Sequence, residues 1–414
     1  MSDKNSDRMN YPFTVLHWNY RGFTEFPLQQ LRGEETDITD IYLKENLISR
    51  LPTDIGRLER LESLYLSGND ITELSCEIAK LQCLKCLDVS GNRLKRVPEV
   101  IGDVRGLKFL ILDDNELTEL PLRLNELRGL RYLSVCDNKL RWLPQKPVYN
   151  YHHCEFRFWR NTDLKTIPYS LWFHMLRDQQ TRSLNIGCLS VPQFQHLLLH
   201  GRCRLKLQHN SRVWEVDVEC PPHHTNIEER GPTTPPSLLE LSMRKTYKII
   251  KDIANKLSEE CLSVYSERSY DEENNNDTKN CNGETIVDNN VDINYTSREL
   301  KCNVETHRKD RPKAKLKYYA PADVLDEYFD FVPAVLKVDL KTGPVSCCEN
   351  VKCRKPMFDF VTYEFCLGKI VLIDNIEDVI LSAAFCSQSC ANVWKGGKTN
   401  TIIPWSLSPQ YISF

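Results

Sequence analysis

Residues 84–106, LKCLDVSGNRLKRVPEVIGDVRG, and 107–129, LKFLILDDNELTELPLRLNELRG, carry one pattern twice in register. Apolar residues stand at unit positions 1, 4, 6 and 11, and an asparagine stands between the last two. Working outward, that asparagine recurs every 23 residues as Asn46, Asn69, Asn92, Asn115, Asn138 and Asn161. Five units fit closely: 38–60, 61–83, 84–106, 107–129 and 130–152. A fixed period of this size specifies a solenoid, in which each unit buries its apolar edge only against its neighbours.

Each unit predicts a short strand, and successive strands pair in parallel. Position 4 (Ile41, Leu64, Leu87, Leu110, Leu133) and position 6 (Leu43, Leu66, Val89, Leu112, Val135) lie two apart, so they share the inward face. The asparagine sits where the chain leaves the strand. Its amide can donate to and accept from turn backbone that has no ladder of its own. The return side reads Leu-Pro-x-x-Ile-x-x-Leu, as in Leu51, Pro52, Ile55 and Leu58. Proline ends the strand side and admits a loose helical turn. Residues 13–37 and 153 to about 175 read as degenerate capping units, the first with Arg21 in the asparagine place.

The remaining strand positions predict a concave wall. It carries Tyr42, Tyr65, Phe109 and Tyr132 beside Asp88, Asp113, Asp114 and Asp137, with Arg157 and Trp159 at its far end. Aromatic anchors and carboxylates together suit a protein partner with a basic segment.

Residues 186–230 break the period and open a hairpin-plus-helix segment that runs over 186–265. Arg202–Leu207 and Trp214–Glu219 alternate around His209-Asn210-Ser211, which predicts a β-hairpin. A helix is expected after Pro235-Pro236, capped by Ser237, with Leu238, Leu241, Ile249, Ile250, Ile253 and Leu257 as its apolar stripe. Residues 266–313, which include the run Asp271–Asp277, are too polar to bury a core and are expected to be disordered.

Residues 314–414 hold a helix and a cysteine-rich module. Cys348-x4-Cys353 and Cys386-x3-Cys390 supply two thiolate pairs, the ligand set of a structural Zn²⁺ site. The second pair precedes Val393-Trp394 and suits a helix start, whose positive end favours thiolates. Cys347 and Cys366 are alternative ligands. Four thiolates leave no open coordination position, so the expected role is structural.

At 414 residues the chain can hold two or three domains. A net charge of −3 argues against a nucleic-acid binder driven by overall charge. No apolar run is long enough to span a membrane, and the Met1–Asn5 start lacks a signal-peptide core. Seventeen cysteines, mostly isolated, fit a reducing compartment. The expected location is the cytoplasm, or also the nucleus, and the expected state is a monomer. No Gly-rich phosphate loop, Ser-His-Asp set or open metal site stands out. His152-His153-Cys154 falls at a repeat junction and reads as structural.

The chain resembles the leucine-rich repeat family. The likeness rests on the period and on four sharper stretches: Leu16–Phe23, Leu164–Leu171, Leu239–Arg244 and Pro356-Met357-Phe358 beside the cysteines. It covers roughly residues 13–255 and 315–394. The long polar insertion near 267–313 departs from the pattern. The resemblance implies an α/β solenoid with parallel strands on its concave face, a C-terminal α/β cysteine module, and a non-catalytic interaction scaffold. It also implies a helix similar to a suppressor-of-cytokine-signalling box, in which Leu238 and Ser242 would dock elongin B/C. Pro321, Val324, Leu325, Tyr328 and Phe329 would form the second half of that box, toward a cullin. That alternative makes the chain a ubiquitin-ligase substrate receptor.

Overall fold

The computed structural model describes residues 14–31, 37–145, 154–177, 180–181, 202–209, 212–219, 236–273, 318–372, 376–396 and 405–409. Residues 274–313 of the polar insertion and His152-His153 lie outside them.

Three-residue strands recur once per unit: β1 (Val15–His17), β2 (Asp40–Tyr42), β3 (Ser63–Tyr65), β4 (Cys86–Asp88), β5 (Phe109–Ile111), β6 (Tyr132–Ser134) and β7 (Glu155–Arg157). They pair in that order into one parallel sheet, with Leu64, Leu87, Leu110 and Leu133 in register. Positions 4 and 6 of the five regular units are buried, because an alternating strand with one packed face leaves them nowhere else to point, while Leu16 and Trp18 of the first capping unit are partly buried. The return sides of the units 38–60, 61–83, 84–106 and 107–129 are 3-10 turns: Ile55–Arg57, Cys76–Lys80, Glu99–Asp103 and Leu122–Glu126. Pro98 and Pro121 precede the last two of these, and the Ser75 side chain caps the second.

The asparagines form one buried column, each 8 % exposed or less. Asn92 accepts the Ile71 N–H at 3.0 Å and donates to the Leu66 and Val89 carbonyls at 3.0 Å. The pattern repeats: Asn69 accepts from Ile48, Asn115 from Leu94, Asn138 from Leu117 and Asn161 from Leu140. At the first unit Asn46 accepts from Arg21 and Phe23, so Arg21 contributes its backbone N–H where its side chain breaks the pattern. The residue before each of these asparagines is left-handed: Glu45, Gly68, Gly91, Asp114, Asp137 and Arg160.

The last unit does not close as a repeat. After β7, the expected Leu-Pro return becomes β8 (Ile167–Pro168), followed by α1 (Tyr169–Leu171), a wider helical turn over Trp172–Leu176, and β9 (Gln180–Thr181). β8 and β9 leave the solenoid and flank the C-terminal hairpin instead. Its strands are β14 (Thr362–Leu372) and β15 (Ile376–Phe385), and the sheet order is β8-β15-β14-β9. A third sheet joins β10 (Arg202–His209) and β11 (Arg212–Glu219) with β16 (Trp405–Pro409) along the free edge of β10. The repeats, the hairpin and the cysteine module share one continuous apolar core.

Three helices pack beside them: α2 (Leu238–Glu273), α3 (Pro321–Tyr328) and α4 (Ala334–Thr342). The last turns of α2 fall within the stretch expected to be disordered. No proline or glycine interrupts residues 258–273, and their composition is compatible with helix. Met243, Tyr247, Ile250 and Ala254 face Val324, Leu325, Leu340 and Phe358. The expected apolar stripe is therefore corrected. Ile250 is buried and Ile253 and Leu257 are partly buried, but Leu238, Leu241 and Ile249 face solvent, while Glu240 and Arg244 are buried. A leucine count misplaces the buried face because two charged side chains here find polar partners inside. No helix among the described residues is long and apolar enough to cross a membrane.

Candidate functional sites: the concave wall and the cysteine cluster

Parallel in-register strands place equal positions of successive units side by side, so the wall consists of side-chain columns. His17, Tyr42 and Tyr65 form one. The first two rings stack at 4.9 Å and 14°, and the second two at 4.6 Å and 8°. Lys44, which composition alone did not single out, lies over Tyr65 at 5.0 Å. Burial first, then a Cys86 hydrogen bond, pushes the Tyr65 hydroxyl up to about 12, so it remains a neutral donor. In the next column Phe109 is 43 % exposed, and Arg157 lies over the half-buried Tyr132 at 5.3 Å.

The acids of the wall are mostly engaged within the protein. Asp88 is only 6 % exposed, pairs with Lys44 at 3.3 Å and accepts from Ser90. Its expected role toward a basic partner is corrected: the carboxylate is buried and satisfied in the fold. Asp113 accepts from Ser134 Oγ at 2.6 Å and Cys136 N at 2.7 Å, both through Oδ1. Burial raises its carboxyl above the usual range despite those bonds. Asp137 pairs with Arg160, whereas Asp114 stays exposed. Asp114 and Asp137 also occupy the left-handed turn position, a structural duty that explains their residue type. Trp159 is partly buried against the core, its ring tilted at 41° to that of Phe158 with centroids 4.9 Å apart. The wall is thus aromatic and largely self-neutralised.

Arg105 and Arg128, at equivalent ends of neighbouring units, both meet Tyr318. Arg105 donates to the Tyr318 carbonyl at 2.6 Å and pairs with Asp323. Arg128 lies 3.6 Å over the Tyr318 ring. Nearby, Arg123 is buried between Asp103 and Glu126.

Cys348 and Cys353 lie on the turn between β12 (Ser346–Cys347) and β13 (Pro356–Met357). The turn is tied by Cys348 N–H to Lys355 O and by Cys353 N–H to Asn350 O, with Arg354 left-handed. Cys386 follows β15, and Cys390 lies in the first turn of α5 (Gln388–Gly396), where its N–H meets Ser387 Oγ. All four sulfurs lie within 4.8 Å of one another, and all four are free thiols. Cys386 Sγ is 3.5 Å from Cys353 Sγ and 3.7 Å from Cys390 Sγ. A sulfur tetrahedron with ~2.3 Å metal bonds has edges of about 3.8 Å, so this cluster can hold one metal ion. A hydrogen bond from Cys348, aided by Cys353 and Cys390, holds the Cys386 thiol down to about 5 against the cost of burial. Lys352, Arg354 and Lys355 surround the turn with positive charge. Cys347 and Cys366 stand outside the cluster. Cys154, read from the sequence as structural, is buried, and burial pushes its thiol up to about 12.

Leu238 and Ser242 both face solvent on α2, Leu238 at 80 % exposure. Val324 and Leu325 do not: they are fully buried against α2. Their expected role in a cullin surface is corrected, since their apolar area is already covered by this chain. Tyr328 is exposed and Phe329 is partly buried.

Residues 40–135 match a protein-family profile described as a leucine-rich repeat region. This stretch is a leucine-rich repeat region. No curated protein sequence matches the chain. Solved leucine-rich repeat structures are similar to parts of it. A leucine-rich repeat protein of Leptospira interrogans is 22 % identical over 41 % of this chain and 48 % of its own, with a TM-score of 0.33. An internalin from Listeria monocytogenes is 26 % identical over 26 % of this chain and 30 % of its own, with a TM-score of 0.24. The leucine-rich repeat domain of APL1B is 21 % identical over 38 % and 52 %, with a TM-score of 0.30. The chain spans about half or less of the length of each.

Proposed function

We propose that this chain is a non-catalytic scaffold that grips a protein partner on the concave face of its leucine-rich repeats. One observation carries the reading: a column of stacked rings, His17-Tyr42-Tyr65, beside Phe109, which is exposed, and the Arg157-covered Tyr132. Since the wall acids are largely matched internally, the partner supplies apolar or aromatic groups more than basic ones. Tyr42, Tyr65, Phe109 and Tyr132 are the anchors, with Asp114 and Arg157 at the polar rim.

The chain is further similar to leucine-rich repeat-containing protein 28 and, more distantly, protein 58, through the four stretches quoted above. The division into repeats (13–175), hairpin and helix (186–265), linker (266–313) and cysteine module (314–414) belongs to the same proposal, as does a cytoplasmic monomer. The metal of the cysteine cluster is zinc in this reading. Four thiolates at tetrahedral spacing favour it, and the closed shell makes it structural.

A second reading is favoured by the exposure of Leu238 and Ser242 together on one helix face. It makes the chain an elongin-binding substrate receptor. Affinity purification of the full chain separates the two. The scaffold reading expects partners that disappear with Phe109→Glu and persist with Leu238→Ser. Elongins lost with Leu238→Ser establish the second reading, and their absence from the unmutated sample discards it.

A further inference from the structure

Glu240 and Arg244 lie one turn apart on α2 and are almost completely buried, an arrangement that costs free energy unless both groups are fully partnered. Their partners are backbone groups of the cysteine module. Glu240 accepts the N–H of Phe358 at 3.1 Å and of Asp359 at 3.0 Å through its two carboxylate oxygens. Arg244 donates to the Phe360 carbonyl at 2.9 Å and, at a longer 3.4 Å, to the carbonyl of Cys386. The two side chains also pair with each other.

Phe358–Phe360 is the segment that leaves the Cys348–Cys353 turn. Cys386 belongs to the other thiolate pair. One ion pair on α2 therefore grips both halves of the cluster, more than a hundred residues away in sequence. We propose that Glu240 and Arg244 are positioning residues of the metal centre, so that metal binding at the four cysteines and docking of α2 are thermodynamically linked. This rests on the metal reading of the cluster given above.

The physical basis is reciprocity. Groups that hold ligand backbone pre-organise the thiolates, and loss of such outer partners costs roughly 10- to 100-fold in metal affinity. The bound metal in turn fixes the backbone that receives α2, so it strengthens the clamp by the same factor. The exposed residues Leu238, Leu241, Ser242 and Ile249 ride on that helix. Their presentation to any partner would then depend on the state of the cysteines.

The test uses the full chain and two readouts. Co(II) titration followed by Zn(II) competition compares the parent with Glu240→Gln, and amide hydrogen exchange compares parent protein with and without metal. The proposal expects at least tenfold weaker metal binding in the variant. It also expects at least tenfold faster exchange across Met243–Ala254 on metal removal, with the repeat amides of Ile71, Leu94 and Leu117 unchanged. The exchange arm needs no variant, so a Glu240→Gln chain that fails to fold does not block the test. Metal binding with exchange and affinity both unaltered overturns the link and leaves the metal site standing. Equal loosening of helix and repeats also overturns it, because that is global unfolding. No binding of either ion overturns link and metal site together.

Discussion

Asn92 and Ile71 are joined across a repeat boundary: the asparagine side-chain oxygen accepts the isoleucine N–H at 3.0 Å inside the core. The same amide donates to Leu66 and Val89, so one side chain satisfies three buried backbone groups. Asn92→Ala takes the acceptor from the Ile71 N–H and removes one of two asparagine donors from each carbonyl, since Asn69 also donates to Leu66 and Asn115 to Val89. At about 1–3 kcal/mol for one unsatisfied buried group, the expected loss is about 2 kcal/mol. Lys95→Ala, on an exposed position of the same unit, changes stability by less than about 0.5 kcal/mol. Denaturant melts of the two variants check this, and equal midpoints refute it.

Gly91 precedes that asparagine with φ +62°. A Cβ there would enter the left-handed region and lie 3.3 Å from Gly68 N. Gly91→Ala is expected to cost about 1–2 kcal/mol, whereas Glu45→Gly, at an equivalent left-handed position, is expected to be neutral or stabilising. Thermal melts of the pair give the comparison, and a parent-like Gly91→Ala defeats it.

Burial raises the Asp113 carboxyl above its ordinary range. A carboxyl raised in the folded state stabilises most below its unfolded pKa, and that contribution is lost as pH climbs through the folded value. Asp113→Asn retains the Oδ1 acceptor used by Ser134 and Cys136 and removes the buried charge. The melting temperature of the variant minus that of the parent should therefore increase as pH goes from about 4 to about 7. A difference that stays flat or falls over that range contradicts the assignment.

The cysteine cluster predicts about one zinc per chain in a preparation never exposed to chelator. Cys386→Ser removes the sulfur that lies closest to two of the others and should abolish stoichiometric metal. Elemental analysis of both proteins decides the point, and less than about half a zinc per parent chain rejects the metal site.

The solenoid was legible because its rule is periodic: one core position, once placed, places its equivalents in every unit. The cysteine pairs were legible because ligand spacing survives in sequence even when 33 residues separate Cys353 from Cys386. What remained hidden depended on contacts between distant segments. Leu238 and Leu241 look like core residues until Glu240 and Arg244 are seen bonded to Phe358, Asp359 and Phe360. The i, i+4 pairing of that glutamate and arginine was the available signal, but most such pairs lie on solvated faces. Likewise Ile167-Pro168 follows the repeat pattern yet pairs with Leu381 and Ser382 of the C-terminal hairpin. The wall acids were visible, but their neutralisation by Lys44 and Arg160 required the register of neighbouring strands.

The most direct test of the gripping wall replaces Phe109 with a photo-crosslinking phenylalanine derivative in the full chain, with the same derivative at Lys95 as control. Covalent adducts to a protein partner through position 109, and none through position 95, are the predicted result. Adducts through position 95 alone, or equally through both, contradict the concave face as the binding surface.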